Sequence, residues 1–126
     1  MIQEAINFFE LKKHWLGGGG HPVPKNQAQA RALVCLNCPM NVEMPIYEMV
    51  AGAVALQMRR TIALKNEMNL HVDGEKSLHV CSACKCLLKV KPWVPLKFIL
   101  ETTKTEDLDP SCWIIKEKEE NAIHNP

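Results

Sequence analysis

Two closely spaced groups of cysteine decide the fold predicted for this chain: CLNC at residues 35–38 and CSACKC at residues 81–86. In a CxxC turn both thiolates point toward a common centre, and the backbone N–H groups of the turn stabilise their negative charge. Two such turns supply the four sulfur ligands of a tetrahedral zinc site, as in a zinc ribbon, although the segment between them is longer than the usual ribbon spacing. That insert must therefore be structured.

The zinc ligands are predicted among all six cysteines of the chain, which are Cys35, Cys38, Cys81, Cys84, Cys86 and Cys112. In a first assignment the two CxxC pairs bind one zinc ion, and the last two thiols are spare or donate hydrogen bonds. In a second, six thiolates share two zinc ions. In a third, the last four cysteines form a site and the first pair joins something else. A site closed by four sulfurs has no position for water, so the zinc would be structural.

Other chemistries fit the cysteine pattern less well. A thioredoxin-like redox CxxC is expected in a βαβ context, which neither pair has. Iron–sulfur clusters accept four thiolates but have other common spacings, and paired cysteines are hard to obtain from core packing alone. His71 and His79 could substitute as ligands because they are near Cys81, although such histidines are more often ordinary strand residues. The sequence offers no catalytic grouping of serine, histidine and acid, so no enzymatic activity is expected.

The composition limits the classes of function further. The 126 residues, 47% of them hydrophobic, can build one modest domain. With 15 basic and 14 acidic side chains, the net charge of +1 gives no argument for nucleic-acid or membrane binding from bulk charge. The sequence has neither an apolar run of the ~20 residues that cross a bilayer nor a secretory signal. We therefore expect a reducing cytoplasm, where thiols bind metal rather than form disulfides.

The predicted fold class is α+β and mostly helical, with zinc-ribbon-like turns bracketing a long central helix over residues 43–69. Residues 1–16 predict an N-terminal amphipathic helical arm, and the glycines and prolines of residues 17–25 predict a hinge-like linker. Residues 26–116 would form the zinc-stapled domain and residues 117–126 a frayed tail.

Shorter elements of the domain are also indicated. The Asp73–Gly74 turn predicts a hairpin over residues 70–80 that delivers Cys81. Residues 26–34 and 95–103 predict short helices, and residues 87–94 a strand broken by proline. The central helix is apolar nearly all round between Met49 and Met58, so it must be covered by the arm or by a partner chain, including a second copy. The favoured interpretation is a helix in the core of the domain, and the alternative is self-association or docking of a protein partner through the arm and this helix.

A nucleic-acid-binding zinc ribbon is the alternative function. Between Lys76 and Lys104 there are six lysines and one acid, and Lys85, Lys89, Lys91 and Trp93 could grip phosphate and stack on a base. The competing interpretation is a solvated strand face, and the absence of arginine from this stretch weakens specific base recognition. Nucleic acid is therefore the second choice of partner.

The order RALVCLNCPMN at residues 31–41, CSACKCLLKVK at residues 81–91 and then Cys112–Trp113 resembles small six-cysteine proteins encoded by tailed bacteriophages and prophages. Lys85 departs from the glycine expected after the second CxxC, and a turn needing positive φ would strain it. The resemblance implies phage origin and metal binding. Together with the residue analysis, it leads us to expect a non-enzymatic structural zinc-binding protein-interaction module. Such a module would act in the host cytoplasm or the virion, as a minor virion or assembly subunit or a host-interaction factor.

Overall fold

The structure is a computed structural model that describes Glu10 and residues 13–124. It confirms a mostly helical α+β chain, in which two short antiparallel strands pair Asn41 with Cys81 and Val42 with Val80. The helices are α1 (Lys25–Leu36), α2 (Pro45–Asn66), α3 (Leu96–Thr102) and α4 (Trp113–His124), the strands are β1 (Asn41–Val42) and β2 (Val80–Cys81), and 3-10 turns occupy Glu75–Ser77, Lys91–Trp93 and Thr105–Asp107.

Helix α1 carries the first cysteine into the core. The helix follows Pro24, and its buried side is a stripe at helical spacing, formed by Ala28, Arg31, Ala32 and Cys35. This stripe packs against the 3-10 turn Lys91–Trp93. The helix predicted for residues 26–34 is confirmed and extends far enough to include Cys35.

Helix α2 is the long central helix that the sequence predicted. Pro45 occupies its first turn, where a missing N–H costs nothing, and Glu67 ends it in a left-handed conformation with φ 52°. Tyr47, Ala55, Met58 and Ile62 are buried on one side. The opposite side leaves five large apolar side chains exposed to solvent, which are Ile46, Met49, Val50, Leu56 and Leu64.

The hairpin predicted over residues 70–80 is wrong. Residues 75–77 form a 3-10 turn after Gly74, and β2 pairs instead with β1. The Asn41 side chain explains the exchange of partners, because its Nδ2 donates to the Ser77 carbonyl at 2.9 Å and its Oδ1 accepts from the His79 N–H at 2.9 Å. These two hydrogen bonds satisfy the Ser77 carbonyl and the His79 N–H, which in a hairpin would be paired with the opposite strand.

The strand predicted over residues 87–94 is also wrong, apart from a single bridge between Val80 and Leu87. The chain then turns through the 3-10 turn Lys91–Trp93, because Pro92 has no N–H for a sheet and has the φ of a helical first turn. The helix predicted for residues 95–103 is confirmed as α3, which begins directly after Pro95.

The N-terminal segment is packed onto the domain where the structure describes it. Residues 1–9, 11 and 12 of the predicted arm lie outside the described residues, while residues 13–17 are helical. Trp15 is fully buried and its Nε1 donates to the His21 carbonyl at 3.0 Å. A Cβ on Gly18 would stand 2.5 Å from Phe98 Cζ. This close packing differs from the hinge-like linker expected for residues 17–25.

The C-terminal segment is helical where the sequence analysis expected a frayed tail. Helix α4 continues through residues 117–124. Its Glu117 bonds to Arg31 of α1, with 2.7 Å between Oε1 and the guanidinium. Among the helices of the described residues, none is both long and apolar enough to cross a membrane.

Candidate metal centre

Cysteines from three parts of the chain lie near one buried ammonium group, that of Lys91. Only 2% of the Lys91 side chain is exposed, and its Nζ donates to Cys84 Sγ at 3.2 Å. Burial alone would lower the pKa of Lys91, but the sulfurs of Cys84, Cys86, Cys81 and Cys112 outweigh that effect and raise it. The buried ammonium thus lies against sulfur, and it gains a charge partner where those cysteines are ionised.

Backbone hydrogen bonds bring the two cysteine turns together. The first turn closes with the Cys38 N–H donating to the Cys35 carbonyl at 3.1 Å. In the second, the Cys81 N–H donates to the Cys86 carbonyl at 3.0 Å. The Ser82 N–H donates across to the Met40 carbonyl at 2.8 Å, so the β1–β2 pairing fixes one turn against the other.

Cys112 reaches the same place from the far end of the chain. It directly precedes α4, and its N–H donates to the Asp109 carbonyl at 2.9 Å. The next residue, Trp113, points its indole Nε1 at Cys35 Sγ, 3.3 Å away. Cysteines that lie 77 positions apart therefore become neighbours, because α1 and α4 meet here.

Lys85 adopts the conformation that the sequence analysis anticipated for a glycine position. Its φ is 60°, in the left-handed region that side chains disfavour. The turn is held by the Lys85 N–H donating to the Cys81 carbonyl at 2.7 Å and by Tyr47 Oη donating to the Lys85 carbonyl at 2.6 Å. Helix α2 thus supports the turn that carries three of the cysteines.

Burial makes most of these thiols reluctant to ionise by themselves. Burial raises the pKa of Cys35 to about 11 and also raises the pKa of Cys112. Contact with Cys81 lowers the pKa of Cys84, but contact with Cys86 and burial outweigh it and raise the value to about 11. Cys86 is the exception, since the hydrogen bond from Cys84 lowers its pKa. An isolated cluster at neutral pH therefore holds mainly neutral thiols.

The side chains as placed do not form a coordination shell. Across Glu10 and residues 13–124, no three His, Cys, Asp or Glu side chains stand in an arrangement that could hold a metal ion. The donor set itself suits one, because zinc sites of structural type use soft sulfur donors, and here three of the six cysteines are buried and three are half-buried.

The histidines considered as substitute ligands contact carboxylates. His71 Nδ1 lies 3.0 Å from Glu75 Oε2, and His79 Nδ1 lies 3.1 Å from Glu48 Oε1. Their rings are thereby oriented toward acids of the 3-10 turn and of α2.

The residues proposed for a nucleic-acid surface do not form one together. Lys91 is buried and Trp93 has no exposed surface, so neither can reach a phosphate or a base. The Lys85 ammonium donates to the Ser82 carbonyl at 2.7 Å, which leaves Lys89 as the freely exposed member of the four. The sequence predicted an exposed Lys91 because residues 87–94 were expected to form a strand.

Arg31 is a residue of the site that the sequence analysis did not single out. It is 2% exposed, and its guanidinium bonds to Glu117 and to the carbonyls of Pro92 and Val94 at 3.0 and 2.8 Å. The guanidinium carbon also lies 4.2 Å from the Trp113 ring centroid. Arg31 precedes Cys35 by one helical turn, and this spacing is the feature of the sequence that could have indicated that it lies at the site. Arg31 ties together the elements that carry Cys35, Lys91 and Cys112.

Comparison with known proteins identifies no relative of this chain. No family model matches it, and no curated protein or solved structure matches it either. The fold and the cysteine cluster therefore define it only as a mostly helical α+β protein with a buried sulfur and lysine centre.

Proposed function

We propose that this chain is a non-enzymatic structural zinc-binding module that mediates protein–protein contacts, of the tailed-phage kind that its cysteine order resembles. It would serve as a minor virion or assembly subunit or as a host-interaction factor. The observation that supports this proposal best is that Cys81, Cys84, Cys86 and Cys112 lie near the buried Lys91 ammonium, while Cys35 and Cys38 line the same small cavity as Lys91.

The charge of Lys91 is the reason for invoking a metal. A buried ammonium is costly unless an anion accompanies it. The neighbouring thiols have mostly raised pKa values and are poor anions by themselves. A zinc ion binds thiolates and displaces their protons, so a four-thiolate site carries net negative charge. Lys91 then becomes the partner that offsets part of that charge.

The exposed side of α2 supports the interaction role. Met49 and Val50 are 72% and 67% exposed, and three further large apolar side chains continue the surface. Contiguous apolar surface on a soluble domain typically marks a contact with another molecule. A zinc-stapled scaffold would hold this helix in place through Tyr47, which bonds to the cysteine turn at Lys85.

Metal analysis tests the proposal directly. Protein purified under reducing conditions should contain about one zinc ion per chain by elemental analysis and native mass spectrometry. Removing the ion with a chelator should lower the melting temperature sharply, since binding to small zinc domains is worth on the order of 10 kcal/mol. A preparation without any transition metal, or a melting curve unchanged by chelation, would contradict the proposal.

A further inference from the structure

We propose that a second copy of this chain covers the exposed side of α2, and that the two α2 helices pack antiparallel. This inference rests on the protein-contact role in the proposed function and names the partner. It does not depend on the metal site. The apolar side chains, the small residues and the charges of α2 support it separately.

The exposed large apolar side chains of α2 form one continuous stripe. At about 100° per residue, all five lie within about 60° of a line that runs along the helix through Ala53. Their exposed fractions range from 49% at Leu56 to 81% at Leu64. From Ile46 to Leu64 the stripe is about 27 Å long, at about 1.5 Å per residue. An apolar stripe of this length is typical of a contact with another helix.

The middle of the stripe is built from small residues. Ala53 is exposed at its centre, and a Cβ added to Gly52 would meet nothing within 4 Å among the described residues. Glycine inside a helix is unfavourable relative to alanine, and the packing of the single chain does not require one at this position. Small side chains at a crossing point let two helix axes come close together. A second helix can therefore approach α2 most closely near Ala53.

A groove of about 240 Å³ lies beside the stripe, between α2 and residues 78–89. Gly52 and Leu56 line it on the side of the helix. In an antiparallel pair with its twofold axis at Ala53, Met49 of one protomer lies opposite the partner's Leu56, at the mouth of the partner's groove. The unbranched methionine side chain suits such an irregular recess. Both protomers then make the same contact, as a twofold interface requires.

The charges near the ends of the stripe determine the direction of the pair. Glu43, just before the helix, is 75% exposed, and its carboxylate lies 3.7 Å from His79 Nε2. Arg60 is exposed within the C-terminal half of the stripe. In a parallel pair, Arg60 would face the same arginine of the partner. In an antiparallel pair, position 60 lies opposite position 46, one turn from the partner's Glu43, so two pairs of opposite charge form by symmetry.

Photo-cross-linking tests the partner and the direction together. Leu64 is 81% exposed, so benzoylphenylalanine in its place should leave the fold intact. Irradiation of mixed nitrogen-15-labelled and unlabelled chains should give inter-chain products that join position 64 to residues 42–50 of the partner subunit. Inter-chain products at residues 60–68 would indicate parallel pairing, and products within one chain at residues 1–12 would indicate that the N-terminal arm covers the helix. Either result overturns the inference.

Charge reversal gives a second measurement on the same contact. E43K and R60E should each raise the dissociation constant of the dimer about tenfold, because like charges replace two pairs of opposite charge. The double variant E43K/R60E should return it close to the wild-type value. The exposed reversals K25E and E106K on other elements are the matched controls. Analytical ultracentrifugation measures the constants, with circular dichroism for folding, and a double variant weaker than either single variant overturns the antiparallel pairing.

The metal content separates this inference from the proposed metal site. A zinc-loaded protein that stays monomeric at every concentration overturns the pairing and leaves the metal site intact. A dimer that carries no metal after purification under reducing conditions contradicts the metal site and leaves the pairing intact.

Discussion

Lys91 shows how much a single side chain contributes to this molecule. Its ammonium is 2% exposed and bonds to the Cys84 sulfur, while its backbone belongs to the 3-10 turn that packs on α1. Nothing in the local sequence distinguishes it from exposed Lys89, two positions earlier. The difference in burial arises from the turn at Pro92, which is a tertiary effect that a pattern of alternating residues does not predict.

Replacing Lys91 by methionine should have opposite consequences with and without metal. In the zinc-loaded protein, K91M leaves the thiolate charge uncompensated, and we expect a loss of about 3 kcal/mol in unfolding free energy. In the metal-free protein, the same change removes a poorly compensated buried charge, and stability should stay equal or rise. Urea unfolding of both forms measures this, with K89M at the exposed position as control. An equal loss in both forms would contradict the role given to Lys91.

Proton release on zinc binding should reflect the raised pKa values of the cysteines. The pKa of Cys35 is raised to about 11, and those of Cys81 and Cys112 are raised as well, so these thiols are protonated at pH 8. Zinc must displace those protons, and its affinity should therefore fall as the pH falls. Calorimetry at pH 8 in buffers of different ionisation enthalpy should show about three or more protons released per ion. Release of none would contradict thiolate ligation.

At the scale of elements, helices were the predictable part of the fold. The sequences of α1, α2 and α3 combine helix-forming residues with proline at or just before the start, and these local signals agree with the tertiary structure. The predictions of a hairpin and of a strand were wrong because β pairing depends on partners that are distant in the sequence. Asn41 Oδ1 accepts a hydrogen bond from the His79 N–H, and a local turn signal does not predict a contact between residues so far apart in the sequence.

The sequence predicted that the cysteine turns lie together, but not which of the cysteines line the cavity. The spacing indicated that the two pairs would meet, and the β1–β2 pairing brings them together. Which sulfurs line the cavity depends on α4 delivering Cys112 and on Lys91 engaging Cys84. Arg31 stabilises that arrangement by joining α1 to Glu117 of α4. Both effects follow from helix packing, which the spacing of the cysteines alone does not predict.

The exposed side of α2 should mediate self-association or partner binding without contributing to the stability of the domain. The double variant M49E/V50E alters side chains that are 72% and 67% exposed, so the unfolding free energy should change little, as for other surface substitutions. Association should be lost, because charges replace the apolar contact. Light scattering over a range of protein concentrations measures this, with exposed Lys25→Glu on α1 as the control of equal charge change. Wild-type protein that stays monomeric at every concentration would contradict self-association through this helix.

At the scale of the whole molecule, the described segment over residues 13–24 belongs to the folded body. Trp15 is among the largest fully buried side chains, and the Val23 N–H donates to the Trp93 carbonyl at 3.0 Å. The segment around the glycines thus lies directly over the 3-10 turn that carries Lys91. The glycines of residues 17–20 were expected to make the backbone flexible, but Gly18 instead allows the backbone to approach the Phe98 side chain closely.

Truncating Trp15 should therefore destabilise the entire domain. Removal of a fully buried indole by W15A typically costs about 3–5 kcal/mol, and its hydrogen bond to the His21 carbonyl is lost as well. Thermal unfolding should remain one transition at a lower temperature. A variant at the exposed neighbour Lys13 provides the control. If W15A melts like the wild type, the N-terminal segment is not part of the core.

Trp113 gives the protein an optical reporter of its own centre. Its ring centroid lies near two cations, 4.2 Å from the Arg31 guanidinium carbon and 5.7 Å from Lys91 Nζ, and its indole N–H points at a sulfur. Excited indoles are sensitive to nearby charge and to thiol quenching, so the emission of Trp113 should shift when an ion enters the cavity. With Trp15 and Trp93 replaced by phenylalanine, a fluorimeter alone would follow filling and emptying of the site in real time.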